Sequence, residues 1–360
     1  MILRSPADLV AAVIRPEIRA LSAYAVAHAE GMIKLDAMES PFVLPAPLRE
    51  KIAATVANVP INRYPDGGAR GVVAALRTAF AIPESLGVIL GNGSDELIQL
   101  ITTAVAKPGT TVLSPEPSFV MYRLDAVFAG ARFVGVPLNA DFTLDAPAML
   151  RAIERERPSL VFLAYPNNPT GNPFAVSDIE AILRLAPGLV VVDEAYYAYA
   201  EASFLPRITE FSNLLVLRTV SKIGMAGLRL GYAVAAPEWT AELDKLRQPY
   251  NLNALTQAVA PLLLAEGALL AGQAATIKAE RSRLHSALAA LPGVVALRTQ
   301  TNFVLARVPD APRWFDGLRQ AGILVKNLHG SHPLLDHCLR ITVGTPAEND
   351  ALIAALKVIR

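Results

Sequence analysis

The chain has 360 residues, with 33 Lys and Arg against 32 Asp and Glu, and 53% of it is apolar. That near-neutral balance gives no electrostatic case for nucleic acid or an anionic membrane surface, which leaves a small molecule as the default partner. The length has room for about two domains with a core each, and the single cysteine, Cys338, excludes an internal disulfide and fits a reducing cytoplasm.

The N-terminal MILRSPADLV carries Asp8 and lacks an apolar h-region, so no signal peptide is expected. Strands are then expected at GVIL (87–90), TTVLSP (110–115), ARFVGVPL (131–138), SLVFLAYP (159–166), GLVVVDEA (188–195), NLLVLRTV (213–220) and GYAVAA (231–236). Between most of them lie stretches of helical periodicity such as SDELIQLITTAVA, VMYRLDAVFAG and VSDIEAILRLA. Strand and helix in alternation predict an α/β fold, a mainly parallel sheet covered on both faces. RAIERERPS (151–159) reads as a solvated helix face.

The pattern changes after about residue 237. The most apolar stretch, 258–275, is interrupted by Pro261, Glu266 and Gly267, and reads as a buried helix in two pieces rather than a membrane span. RTQTNFVLARV (298–308), GILVKN (322–327) and HCLRITVG (337–344) suggest a smaller α+β unit. Within HGSHPLLDHC (329–338), His329, His332, Asp336 and His337 match no ligand spacing, so no metal is expected.

Ligands of such folds bind at the ends of the parallel strands. ILGNGSDELIQL (89–100) runs from a strand through Gly91 and Gly93 into a helix that Ser94 is placed to cap, presenting the amides of Ser94 and Asp95 to a phosphate. Glu96 stands where a dinucleotide fingerprint needs its third glycine; a simple turn is the other reading. YPNNPTGNP (165–173) projects Asn168 at the same edge, and VVVDEAYYAY (190–199) drives Asp193 to a strand end, where a buried carboxylate needs a cationic or N–H partner. In RTVSKIGMAGLRLGY (218–232), Lys222 sits among small and apolar neighbours with Arg229 seven residues on. It reads either as a solvated surface group or as a desolvated amine beside a cation, nucleophilic toward an aldehyde. A phosphate turn, Asn168, Asp193 and Lys222 together ask for a phosphate, a ring N–H and an aldehyde, and pyridoxal 5′-phosphate has all three.

With IRPEIRALSAY, EGMIKLDAMESP, RYPDGG, GNGSDE, YPNNPTG, DEAYYAY, TNFVLAR and LRITVGT in this order, the chain resembles the fold-type I pyridoxal-phosphate aminotransferases, most closely their histidinol-phosphate branch. The resemblance implies a large domain with a seven-stranded, mostly parallel sheet at 41–245, a small α+β domain at 246–360, and an arm at 1–40 that joins the small one. It also implies a cytoplasmic homodimer with its active sites at the subunit interface. Lys222 corresponds to the lysine that holds the cofactor as a Schiff base and moves the proton. Asp193 corresponds to the carboxylate that keeps the ring nitrogen protonated. Asn168 and Tyr196 correspond to the pair that hydrogen-bonds the ring oxygen, and Ser94, Asp95, Ser221 and Arg229 to the phosphate cradle. Tyr64 corresponds to a phosphate contact lent by the other subunit. Phe119 stands where many relatives stack a tyrosine on the ring, and Lys326 where an arginine often meets the substrate phosphate. Arg229 follows Lys222 one residue sooner than in many relatives, which requires a tighter loop.

Arg340 resembles the arginine that grips the substrate α-carboxylate, and Tyr24 lies in the segment relatives fold over the site. The resemblance thus implies transamination between histidinol phosphate and glutamate or 2-oxoglutarate in histidine biosynthesis, by a ping-pong mechanism. The alternatives are an aromatic amino acid transaminase, a pyridoxal-phosphate decarboxylase or lyase of the threonine-phosphate type, and a non-catalytic cofactor-binding regulator. The last usually carries a basic helix-turn-helix module, for which this N-terminus offers no pattern.

Overall fold

The computed structural model describes residues 5–23 and 27–359. Its strands are β1 (Ile33–Leu35), β2 (Gly87–Asn92), β3 (Thr111–Glu116), β4 (Arg132–Pro137), β5 (Leu160–Ala164), β6 (Leu189–Asp193), β7 (Leu214–Thr219), β8 (Leu230–Ala235), β9 (Val295–Ala296), β10 (Phe303–Arg307), β11 (Ile323–Asn327) and β12 (Cys338–Thr342). Seven of them form one sheet in the order β2-β8-β7-β6-β5-β3-β4, in which only β8 runs against its neighbours. All seven were expected from the alternating pattern. The apolar runs are continuous because both faces are covered. Leu90, Leu113, Val161, Leu163, Val190 and Val192 enter one core, while the alternate residues Ile89, Val112, Leu160, Phe162, Leu189 and Val191 enter another.

The second sheet runs β1-β11-β12-β10-β9. Here β1 lies parallel to β11 and the other pairs are antiparallel, so a strand near the N-terminus completes a sheet built from residues beyond 294. β1 and β9, of three and two residues, escaped the sequence reading because so few positions carry no period.

The apolar stretch 258–275 forms helices Ala254–Leu264 and Gly267–Ala289, bent by 78° at the break. The first buries Val259, Ala260, Leu263 and Leu264 against helices Ala46–Ala57 and Arg70–Phe80. The second packs on β10 and helix Pro346–Val358, burying Ile277, Leu284 and Leu288. Among the described residues no single helix is long and apolar enough to cross a membrane, although this bent pair passes that test by length and composition. The charge run at 151–159 ends helix Ala146–Glu156; Ala152 and Ile153 are buried, and Glu156 pairs with Arg132 and Arg155. In the 329–338 loop the His329 and His337 rings lie 4.7 Å apart, and among the described residues no three His, Cys, Asp or Glu side chains gather as a metal would require.

Candidate active site

A cavity of about 360 Å³ opens where β3, β5, β6 and β7 end, lined by Ser94, Asp95, Phe119, Asn168, Asp193, Tyr196, Ser221, Lys222 and Arg229. These nine residues come from six separate stretches of chain, and the parallel strands deliver most of them to one edge.

One end of the cavity is an anion cradle. β2 leads through Gly93, at φ +79°, into helix Gly93–Val105. Asn92 rather than Ser94 occupies the cap position; its N–H donates to Glu96 Oε2 at 2.5 Å and its amide to Asn251 O at 2.6 Å. Ser94 lies inside the first turn, so the capping role expected for it is not the one it has. Free first-turn amides and the positive end of the helix dipole remain as a place for a phosphate. The cradle is held close by two glycines. A Cβ on Gly231 of β8 would stand 2.4 Å from Gly93 C and 2.5 Å from Ser94 N, and a Cβ on Gly93 would stand 2.6 Å from Arg229 Nη2.

Arg229 reaches this end through a compact loop. Two 3₁₀ turns, Ser221–Ile223 and Ala226–Leu228, are joined at Gly224 with φ +99°, and Arg229 itself has φ +50°. The tight turns accommodate the short spacing read from the sequence. Arg229 Nη2 lies 3.4 Å from Asp95 Oδ2, and Ser221 Oγ 2.9 Å from Thr219 Oγ1.

At the floor, Asp193 is 4% exposed at the end of β6. Its Oδ2 accepts the Tyr122 hydroxyl at 2.8 Å and its Oδ1 the Ala195 N–H at 3.1 Å. Burial outweighs these donors and pushes its carboxyl up to about 6. A cationic N–H facing it would relieve that cost. Tyr122 was not singled out from the sequence: it lies 71 residues from Asp193 within an ordinary helical pattern, and only the need of a buried carboxylate for a donor hinted at it. Phe119 meets Tyr122 edge-to-face at 5.6 Å. Its loop is tied down by the fully buried Asn167, which donates to Pro117 O and Thr170 Oγ1 and accepts from Ser118 Oγ.

Lys222 Nζ donates to Ala37 O at 3.2 Å. Desolvation first, then the Arg340 charge, lowers its amine to about 8. Tyr196, 3% exposed and pushed up by burial, donates to Met38 Sδ at 3.2 Å.

Arg340 and Lys326 face each other across β12 and β11 and line the adjoining cavities. Arg340 Nη1 donates to Asn168 Oδ1 at 2.6 Å and Nη2 to Asp36 O at 3.0 Å, so Asn168 is joined to the second sheet. Tyr64 is 81% exposed, stacks on Tyr250 at 4.6 Å, and does not line the cavity of its own chain. Tyr24 lies outside the described residues.

The parts fit pyridoxal 5′-phosphate: a glycine-held anion cradle, a carboxylate short of a cation, a depressed lysine amine and an aromatic wall. Residues 30–356 match the family model for aminotransferase class I and II. The chain is 57% identical over 344 residues to the histidinol-phosphate aminotransferase of Chromobacterium violaceum, covering 96% of this chain and 97% of that one. It is 50% identical over 348 residues to the enzyme of the same name from Neisseria meningitidis, covering 96% of this chain and 95% of that one. Among solved structures it is similar to histidinol-phosphate aminotransferase from Sinorhizobium meliloti in complex with pyridoxal-5′-phosphate, with TM-score 0.85, 27% identity and 96% of each chain covered.

Proposed function

The chain belongs to the class I and II aminotransferases, and from that premise we propose that it transfers the amino group of histidinol phosphate to 2-oxoglutarate, forming imidazole-acetol phosphate and glutamate in histidine biosynthesis. It is a pyridoxal-phosphate-dependent enzyme of the fold-type I architecture. The observation that carries the reading is the convergence of Lys222, Asp193 and the Gly93 helix N-terminus on one cavity, with Arg340 at its border.

When bound, the cofactor supplies an aldehyde carbon and a ring that withdraws electrons from the substrate. The chain's residues do the rest. Lys222, with its amine near 8, is partly neutral at neutral pH; it would hold the cofactor covalently through the aldehyde carbon and, once displaced by the substrate amine, would carry the proton from the amino-bearing carbon of the substrate to that former aldehyde carbon. Asp193 would keep the ring nitrogen protonated, and the Tyr122 hydroxyl holds Asp193 in place. Tyr196 and Asn168 would donate to the ring oxygen, Phe119 would pack on the ring, and Ser94, Asp95, Ser221 and Arg229 would bind the phosphate. Arg340 would bind the carboxylate of glutamate and the phosphate of the other substrate in turn, with Lys326 facing it across β11 and β12; the help that the resemblance implies from Tyr24 falls outside the described residues.

The active unit in this proposal is a cytoplasmic homodimer, in which Tyr64 serves the partner's phosphate. Its high exposure next to Tyr250, 44% exposed, supports a covered position there. The proposed division is an arm at 1–40, a large domain at 41–245 and a small one at 246–360. The two sheets support it, while the packing of helix Ala254–Leu264 on helices Ala46–Ala57 and Arg70–Phe80 of the large domain favours a boundary at the 78° bend instead.

The test is a spectrum and a substrate comparison. The parent is expected to absorb near the visible edge, and Lys222→Ala to lose both that band and turnover. Under one condition, kcat/KM should favour histidinol phosphate over histidinol by a hundredfold or more, since a charged site left unfilled is costly, and Arg340→Ala should erase the preference. If phenylalanine equals or exceeds histidinol phosphate, the aromatic transaminase reading replaces this one; release of carbon dioxide from an amino acid without amino exchange would replace it with a decarboxylase.

A further inference from the structure

Three consecutive residues of the short segment after β1 each place an acceptor on a different polar group of the site. Asp36 O accepts Arg340 Nη2 at 3.0 Å, Ala37 O accepts Lys222 Nζ at 3.2 Å, and Met38 Sδ accepts the Tyr196 hydroxyl at 3.2 Å. The donors come from different parts of the fold: Lys222 and Tyr196 follow strands of the first sheet, and Arg340 is on the second. What sets the segment's shape is Met38, which is 8% exposed and has φ +55°, the left-handed region that an L side chain rarely adopts. Its backbone is held there from both sides. Met38 N–H donates to Thr342 Oγ1 at 3.0 Å, and Met38 O accepts the amide of the fully buried Asn302 at 2.9 Å. A backbone turn outside the preferred region persists only where its surroundings over-determine it.

We propose that residues 36–38 are a positioning strap, and that the left-handed turn at Met38 is what aims the Ala37 and Asp36 carbonyls at Lys222 and Arg340. Met38 is a positioning residue: it acts through the lysine and the arginine. The inference rests on the aminotransferase reading for what those two groups do, and on the hydrogen bonds for how they are held. In this arrangement the backbone angle at Met38 matters more than its side chain, since a thioether is a weak acceptor.

That ordering gives the experiment, because side-chain size and backbone compatibility rank the substitutions oppositely. Glycine and asparagine tolerate positive φ; β-branched valine does not. The rate at which cofactor-stripped protein takes up pyridoxal phosphate at Lys222 is followed by absorbance for the parent, Met38→Gly, Met38→Asn and Met38→Val. Thermal unfolding of each is measured alongside. Gly and Asn variants are expected within about threefold of the parent, and Val slowed tenfold or more, with kcat falling in parallel while folding is retained. If the role is side-chain packing, Gly becomes the most impaired. A tenfold loss in both Gly and Asn overturns the proposal even if the Val variant fails to fold. A parent that takes up the cofactor at Lys222 but transaminates some other amine overturns the substrate assignment and leaves this ranking to be read on its own.

Discussion

At Lys222 the cost of burying a charge and the chemistry of an amine are one fact. Its amine sits near 8 instead of the usual 10.5, so between those values the folded chain binds less proton than the unfolded chain. The penalty on the cofactor-free fold is therefore full below about pH 8 and is relieved as pH rises toward 10.5. Lys222→Met, which keeps the stem and removes the charge, should make the cofactor-free protein more stable than the parent at pH 7, by at most about 3 kcal/mol. Urea unfolding at pH 7 and pH 10 checks this: the advantage should shrink as pH rises, and one that grows would mean that burial does not lower the amine. Asp193 shows the same physics with the opposite sign of charge, and Tyr122 limits how far its carboxyl rises.

Between elements, the contact to watch is that of β8 with the first turn of helix Gly93–Val105. Gly231 is the residue that lets the backbones approach, since any Cβ there meets Gly93 C at 2.4 Å. The atoms in the way are backbone, which cannot rotate aside. Gly231→Ala should therefore push the helix N-terminus from β8 and lower pyridoxal phosphate affinity tenfold or more, with a fall in Tm. Equilibrium titration of the stripped protein measures it, and an unchanged affinity would show that the first-turn amides are not the phosphate site. From the sequence, the glycines of GNG invited a phosphate reading, whereas Gly231 in LRLGY carried no mark. Its requirement comes from a strand and a helix about 140 residues apart in the chain, and no local pattern reports such an approach.

For the molecule as a whole, the site of one chain is proposed to be finished by a second. Tyr64, 81% exposed and stacked on Tyr250, is the residue to test. Mixing Tyr64→Phe with Lys222→Ala, each inactive or nearly so alone, should restore activity in the mixed dimer, because one of its two sites then holds both intact residues. Recovery approaching a quarter of the parent is the ceiling for random pairing, as half of the dimers are mixed and half of their sites are whole. A fully active monomer in sedimentation removes the basis for this expectation.

The sequence by itself determined the α/β class and the seven strands of the main sheet, because parallel strands buried on both faces must be written as continuous apolar runs. It also marked Lys222, Asp193, Asn168 and the GNGSDE turn, since each is a polar or glycine-rich break at the end of such a run. Tertiary structure alone decided which groups hold these residues: Tyr122 on Asp193, the Ala37 carbonyl on Lys222, and Asp36 and Asn168 on Arg340. It also decided that β1 joins a sheet made from residues some 290 positions later, and that Ser94 lies inside its helix instead of capping it. Periodicity is a local property and survives in one dimension. Hydrogen-bond partners and backbone approach are set by which elements the closed fold brings within 3 Å, and a sequence records that only after it has folded.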